Sequence, residues 1–90
     1  MTEQEVKDTV EQIVKFEADE KQLMESEHFS EAGACTEAVQ MLETELEQQG
    51  YFLGEDGTDM IVYHANRLKV VKDEWLRFDR AELKWRQPDA

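Results

Sequence analysis

The sequence predicts a mainly α protein: three helices, about residues 3–25, 31–49 and 59–86, packed antiparallel in a single domain, 1–90. Three observations lead there. Apolar residues recur at threes and fours, the period of one helix face. Acids stand four residues before bases, the better order for helical ion pairs. Residues 58–86 contain neither Gly nor Pro, on which turns most often depend.

The first helix opens on Thr2-x-x-Glu5, which fits a capping box: the Thr hydroxyl serves the Glu5 amide, and the Glu carboxylate reaches back to the Thr2 amide. Val6, Val10, Ile13, Phe16, Leu23 and Met24 follow at loosely helical spacing. Lys7, Lys15 and Lys21 each sit four residues after a Glu (Glu3, Glu11 and Glu17). Ser26–Ser30 reads as a connection, with Ser30 as the cap of the second helix. In that helix Cys35, Ala38, Val39, Leu42 and Leu46 repeat at three and four, and Gly50 stops it.

The third helix rests on the stripe Ile61, His64, Leu68, Val71, Trp75, Phe78, Glu82 and Trp85. The pairs Asp73–Arg77 and Glu82–Arg86 support it. A different reading competes over the same residues. Tyr51–Leu53 and Met60–His64 are β-favourable on either side of Asp56-Gly57, a turn signal. Asn66, Asp73 and Asp79 then serve as further turns. The alternative fold is therefore α+β: two N-terminal helices and a C-terminal β hairpin or meander. Gln87-Pro88-Asp89-Ala90 reads as a frayed tail.

Charge is the strongest global signal. Residues 1–50 carry 14 Asp and Glu against 3 Lys, a net of −11; residues 51–90 carry 8 acids against 7 bases, a net of −1. Such a surface repels nucleic acid and anionic membrane and attracts basic surfaces. No run reaches the ~18 apolar residues of a membrane span, and the N-terminus lacks the pattern of a signal peptide. Cys35 is the single cysteine, so no internal disulfide forms, and a reducing cytoplasmic setting is the default.

No reaction is specified. Glu25-x-x-His28 has the spacing that brings a carboxylate and an imidazole to one metal, but two such pairs are needed. His64 has Ile61, not an acid, three residues before it. No metal or cofactor is expected. Cys35 reads as a small residue on the apolar face of helix two, and His64 as a hydrogen-bonded core or interface histidine. Phosphate loop, CxxC and nucleophile elbow are all missing. The chain is not expected to be an enzyme.

Arg67, Lys69, Lys72, Arg77, Arg80, Lys84 and Arg86 interleave with Trp75, Phe78 and Trp85, a pattern able to bind single strands. The attached acidic half opposes direct nucleic-acid binding. These cations are expected instead to face the acidic helices, or another subunit.

The expected function is that of a small acidic interaction protein. Its sharpest form is an inhibitor that mimics nucleic acid and blocks the basic groove of a nucleic-acid-binding protein. Carboxylates three or four residues apart on a helix lie about 5–6 Å from each other, comparable to the phosphate spacing along a DNA strand. The expected contacts are Glu37, Glu43, Glu45 and Glu47, extended by Glu17, Asp19, Glu20, Glu25 and Glu27. In size and charge the chain resembles the short acidic inhibitors of phages and other mobile elements, of anti-restriction or anti-CRISPR type; the likeness is one of class and rests on no family motif. The alternative is a non-catalytic helical adaptor or oligomeric structural protein, a homodimer included, whose acidic face is merely solvated.

Overall fold

The structure, a computed structural model, describes residues 1–64 and 73–86. Two helices, α1 (Glu3–Glu25) and α2 (Phe29–Gln48), precede four strands: β1 (Tyr51–Asp56), β2 (Asp59–His64), β3 (Asp73–Asp79) and β4 (Lys84–Arg86). The strands form one antiparallel sheet in the order β1-β2-β3-β4. The expected third helix over 59–86 is thus overturned, and the α+β alternative with a C-terminal meander fits. Asn66, Arg67, Leu68, Lys69, Val71, Lys72 and the 87–90 tail lie outside the described residues. The chain divides into two compact units, Met1–Leu46 and Glu47–Ala90.

In the helical unit α1 starts as its cap predicts. The Glu5 amide donates to Thr2 Oγ1 at 3.2 Å and the Val6 amide to the Thr2 carbonyl at 3.0 Å. The Glu5 carboxylate accepts from the Thr2 hydroxyl at 3.2 Å, where the sequence suggested the amide. Val6, Val10 and Ile13 have no exposed surface. Each such burial is worth about 1.5–3 kcal/mol relative to exposure. Thr9 shares this buried face because its hydroxyl donates to the Glu5 carbonyl at 2.8 Å.

The end of α1 is a Schellman closure. The His28 amide donates to the Leu23 carbonyl at 2.8 Å, and the Glu27 amide to the Met24 carbonyl at 3.2 Å. Glu27 holds the left-handed conformation at φ 63, a position glycine usually fills. The next helix then begins at Phe29, so Ser30 lies inside its first turn and is not its cap. Ala32, Val39 and Leu46, seven apart, are its buried line. Gly50, at φ 89, closes it, its amide donating a hydrogen bond to the Glu47 carbonyl at 3.0 Å.

In the sheet unit, Asp56 pairs with Asp59 across the two-residue turn Gly57-Thr58. Gly57 takes φ 61, which makes this a primed hairpin turn, matched to strand twist. Between β2 and β3 the register shifts at Val62/Tyr63, leaving Trp75 as the extra residue of a bulge. The β3–β4 turn contains no glycine. Asp79 Oδ1 accepts from the Ala81 amide at 2.9 Å and the Glu82 amide at 3.2 Å, and Leu83 adopts φ 55.

Strand alternation then sorts the side chains. Met60, Val62, Leu76, Phe78 and Trp85 share one face, and all but Trp85 are buried. Phe78 and Trp85 are cross-strand partners with ring centroids 5.0 Å apart. The other face carries Phe52, Ile61 and Tyr63 beside a band of charges. Gly54 lies under the Tyr63 ring: a Cβ there would come within 2.7 Å of Tyr63 Cε2.

Candidate functional site

The nine carboxylates singled out from the sequence fall into three settings. On α2, Glu37, Glu45 and Glu47 are exposed and Glu43 is half-buried. At about 100° per residue they spread over roughly 200° of arc around the helix, and Glu43, four residues after Val39, flanks the buried Ala32–Val39–Leu46 line. Glu43 and Glu47 are neighbours one turn apart, and α2 carries no Lys or Arg. Glu37, Glu45 and Glu47 therefore lie on the solvent side of the helix, and of the four only Glu43 and Glu47 form a close row.

On α1, Glu17 and Glu20 continue the line of Val6, Val10 and Ile13, at steps of four and three. The stripe thus turns from apolar to acidic halfway along the helix. Glu17, Asp19 and Glu20 are half-buried, so this part of the array is less open than Glu25 and Glu27, which are exposed. Glu27 stands at the left-handed corner residue, so its backbone closes the helix whatever its carboxylate does.

An open groove of about 430 Å³ was not foreseen. It is lined by Asp19, Gln22, Leu23, Ser26, His28 and Cys35. The lining residues of α1 recur at three and four, which is the signal that finds them. Ser26 Oγ donates to the helix-end carbonyls of Gln22 at 3.0 Å and Leu23 at 3.2 Å. His28 Nδ1 lies within hydrogen-bond distance of the same hydroxyl, 2.9 Å from Ser26 Oγ. Cys35 stands beside the buried line of α2, as its apolar-face reading expects, but is half-buried and borders this groove. Among the described residues no three His, Cys, Asp or Glu side chains converge as metal ligands. No described helix is long and apolar enough to cross a membrane.

In the sheet, opposite charges meet. Arg77 bonds Glu74 through Nε, and its terminal nitrogen reaches Asp56 at 3.1 Å and Asp59 at 3.2 Å. These bonds, led by the one to Glu74, raise the pKa of its guanidinium. Arg80 donates to the Thr58 carbonyl at 2.9 Å and the Gly57 carbonyl at 3.3 Å, clasping the β1–β2 turn, and meets Glu55 at 3.4 Å. Arg86 pairs with Asp79 at 2.7 Å and Glu82 at 3.4 Å. The Glu82 amide, more than any other group, holds the Asp79 carboxyl below its ordinary range. Burial opposes that, and the Ala81 amide, Arg86 and Lys84 add to it. Of the cations expected to face the helices, Arg77, Arg80 and Arg86 bind acids of their own sheet; Arg67, Lys69 and Lys72 lie outside the described residues.

Phe78 is buried, whereas Trp75 and Trp85 are half-buried. His64 is exposed and stacks on Tyr51 with centroids 4.9 Å apart, so it is not a core histidine. Trp75 stacks on the same Tyr51 ring at 5.3 Å.

No family model, curated protein or solved structure matches this chain.

Proposed function

We propose that this chain is a small, non-catalytic interaction protein that meets a basic surface of a protein partner through its acidic helices. The use of the arginines carries the reading. Arg77, Arg80 and Arg86 are engaged by Glu55, Asp56, Asp59, Glu74, Asp79 and Glu82. They serve the sheet, while the helices keep an excess of acids facing solvent at Glu25, Glu27, Glu37, Glu45 and Glu47. Such a surface steers a basic partner in quickly and loses hold of it as salt rises. Affinity capture from the native host, repeated with the Glu43→Lys/Glu47→Lys variant, tests it. The expected partners are basic proteins that elute with salt and are lost by the variant. Retention by the folded variant, or partners held through Trp75, Phe78 or Trp85, overturns the reading.

The spacing of Glu43 and Glu47 supports a narrower version, in which the helices occupy a groove that otherwise holds nucleic acid. Duplex DNA then competes with the chain for its partner. A partner that holds DNA and the chain together removes this version and leaves the adaptor reading standing. The broad spread of the α2 carboxylates favours the adaptor.

A further inference from the structure

We infer that the groove at the helical corner is a docking site for an amphipathic basic peptide segment. One large apolar side chain enters the groove, and flanking Lys or Arg side chains meet the carboxylates around it. The inference rests on the proposed function and adds where the partner binds and what it must carry.

Its shape is the first argument. The groove, about 430 Å³, falls within the range of roughly 300–1,000 Å³ typical of binding clefts. Most of its surface is apolar, with Leu23 and Cys35 in its lining. The hydroxyl of Ser26 is already committed to the carbonyls that end α1 and to His28, so it asks little of a ligand. The wall is also set in advance: the Schellman bonds of Glu27 and His28 pin the corner, and a preformed wall lowers the ordering cost of binding.

Charge complementarity is the second argument, and it names the occupant. Asp19 lines the groove itself. Glu20, Glu25, Glu27 and Glu31 lie on the segments that form the corner, and no Lys or Arg occurs between Lys21 and Arg67. An anionic ligand is repelled here. A bare cation finds no converging ligand set among the described residues. A segment that joins positive charge to an apolar side chain satisfies both the rim and the lining, as amphipathic peptides do in acidic grooves.

Selection of displayed random peptides on the full-length chain tests this, followed by amide chemical-shift mapping of synthetic copies. The expected winners combine Lys or Arg with a large apolar residue and shift the amides of Leu23, Ser26, His28 and Cys35. Leu23→Asp should weaken them at least about tenfold. Because that change also places a charge in the apolar lining, the fold-neutral Gln22→Lys at an exposed rim position should do so as well, with an unchanged circular dichroism spectrum. Winners that are basic but carry no apolar residue, or that map elsewhere, overturn the groove and leave the acidic-surface reading intact. Equal affinity for the folded Gln22→Lys protein also overturns the groove. A selection that yields no basic peptides overturns both.

Discussion

Glu43 and Glu47 stand one turn apart on α2 with no cation on that helix, whereas Asp56, Asp59 and Glu74 close around the single guanidinium of Arg77. The residue type is the same and the setting is opposite. In the sheet, hairpin register brings acids from three strands to one arginine, so the carboxylates help to hold strand to strand. On the helices, acid follows acid, and like charges one turn apart repel mildly. The difference teaches that the placement of cations, more than the number of acids, decides whether a carboxylate serves the fold or faces outward.

If that contrast holds, substitutions in the sheet interior should be costly and those on the helical acids nearly silent. The largest expected effect is Leu76→Ala. Leu76 is 2 % exposed, and such truncations cost about 2–5 kcal/mol; chemical denaturation measures it. The Glu43→Lys/Glu47→Lys protein should stay within about 0.5 kcal/mol per site of the parent. A comparable loss from both would erase the distinction.

Gly54→Ala is next. The added methyl meets the Tyr63 ring at 2.7 Å, and overpacking of this kind costs about 1–3 kcal/mol. Gly33→Ala serves as the control, since nothing lies within 4 Å of its added Cβ. Equal melting temperatures for the two variants would show that the Tyr63 ring moves aside freely.

Glu27→Gly should act in the other direction. It relieves a left-handed glutamate at φ 63 and stabilises by about 0.5–1 kcal/mol, net of the added freedom of the unfolded chain. A loss of stability would give the Glu27 side chain a structural role that the corner geometry does not.

The smallest change concerns acid. The Asp79 carboxyl titrates below its ordinary range, first because of the Glu82 amide. A depressed folded pKa contributes stability above the unfolded value of about 3.9 and loses it as pH falls through the folded one. The stability gap between the parent and Asp79→Asn should therefore be widest near neutrality and shrink below about pH 4. A gap that stays constant from neutral to strongly acidic solution contradicts the assignment.

The helices were legible because their signals are local. Thr2 and Glu5 mark the start of α1, and Gly50 marks the end of α2. The start of α2 was misplaced because Ser30 offers a cap in sequence while the Schellman corner at Glu27 and His28 already turns the chain. The sheet was legible only as the alternative, through the Asp56-Gly57 turn, and the helix competed with it for a physical reason. Phe78 and Trp85, seven apart, stack on a helix face and are also cross-strand partners around a four-residue turn. Glu82 and Arg86 pair in either arrangement. Only the even–odd division separates the two readings: Ile61 and His64 share a helix face but lie on opposite faces of a strand. Asp56-Gly57 announced the first turn, but the β3–β4 turn is made by the Asp79 side chain and a left-handed Leu83, with no Gly or Pro to mark it. Of the candidate surface, the exposed acids of α2 were readable from composition. The groove was not, because it needs Cys35 of one helix beside Asp19 and Leu23 of the other.

The order β1-β2-β3-β4 also bears on how the sheet forms. Each strand pairs with the one beside it in sequence, so no distant segments must meet before the first contacts appear, and low contact order favours fast folding. The two-residue turn at Gly57-Thr58 and the four-residue turn after Asp79 ask for the least loop-closure entropy. Two hairpins, each able to form within about 1–10 μs, are thus expected to precede their joining through β2 and β3. Temperature-jump relaxation read at Trp85 in β4 and at Trp75, beside the β2–β3 bulge, would show the order, and an earlier signal from Trp75 would reverse it.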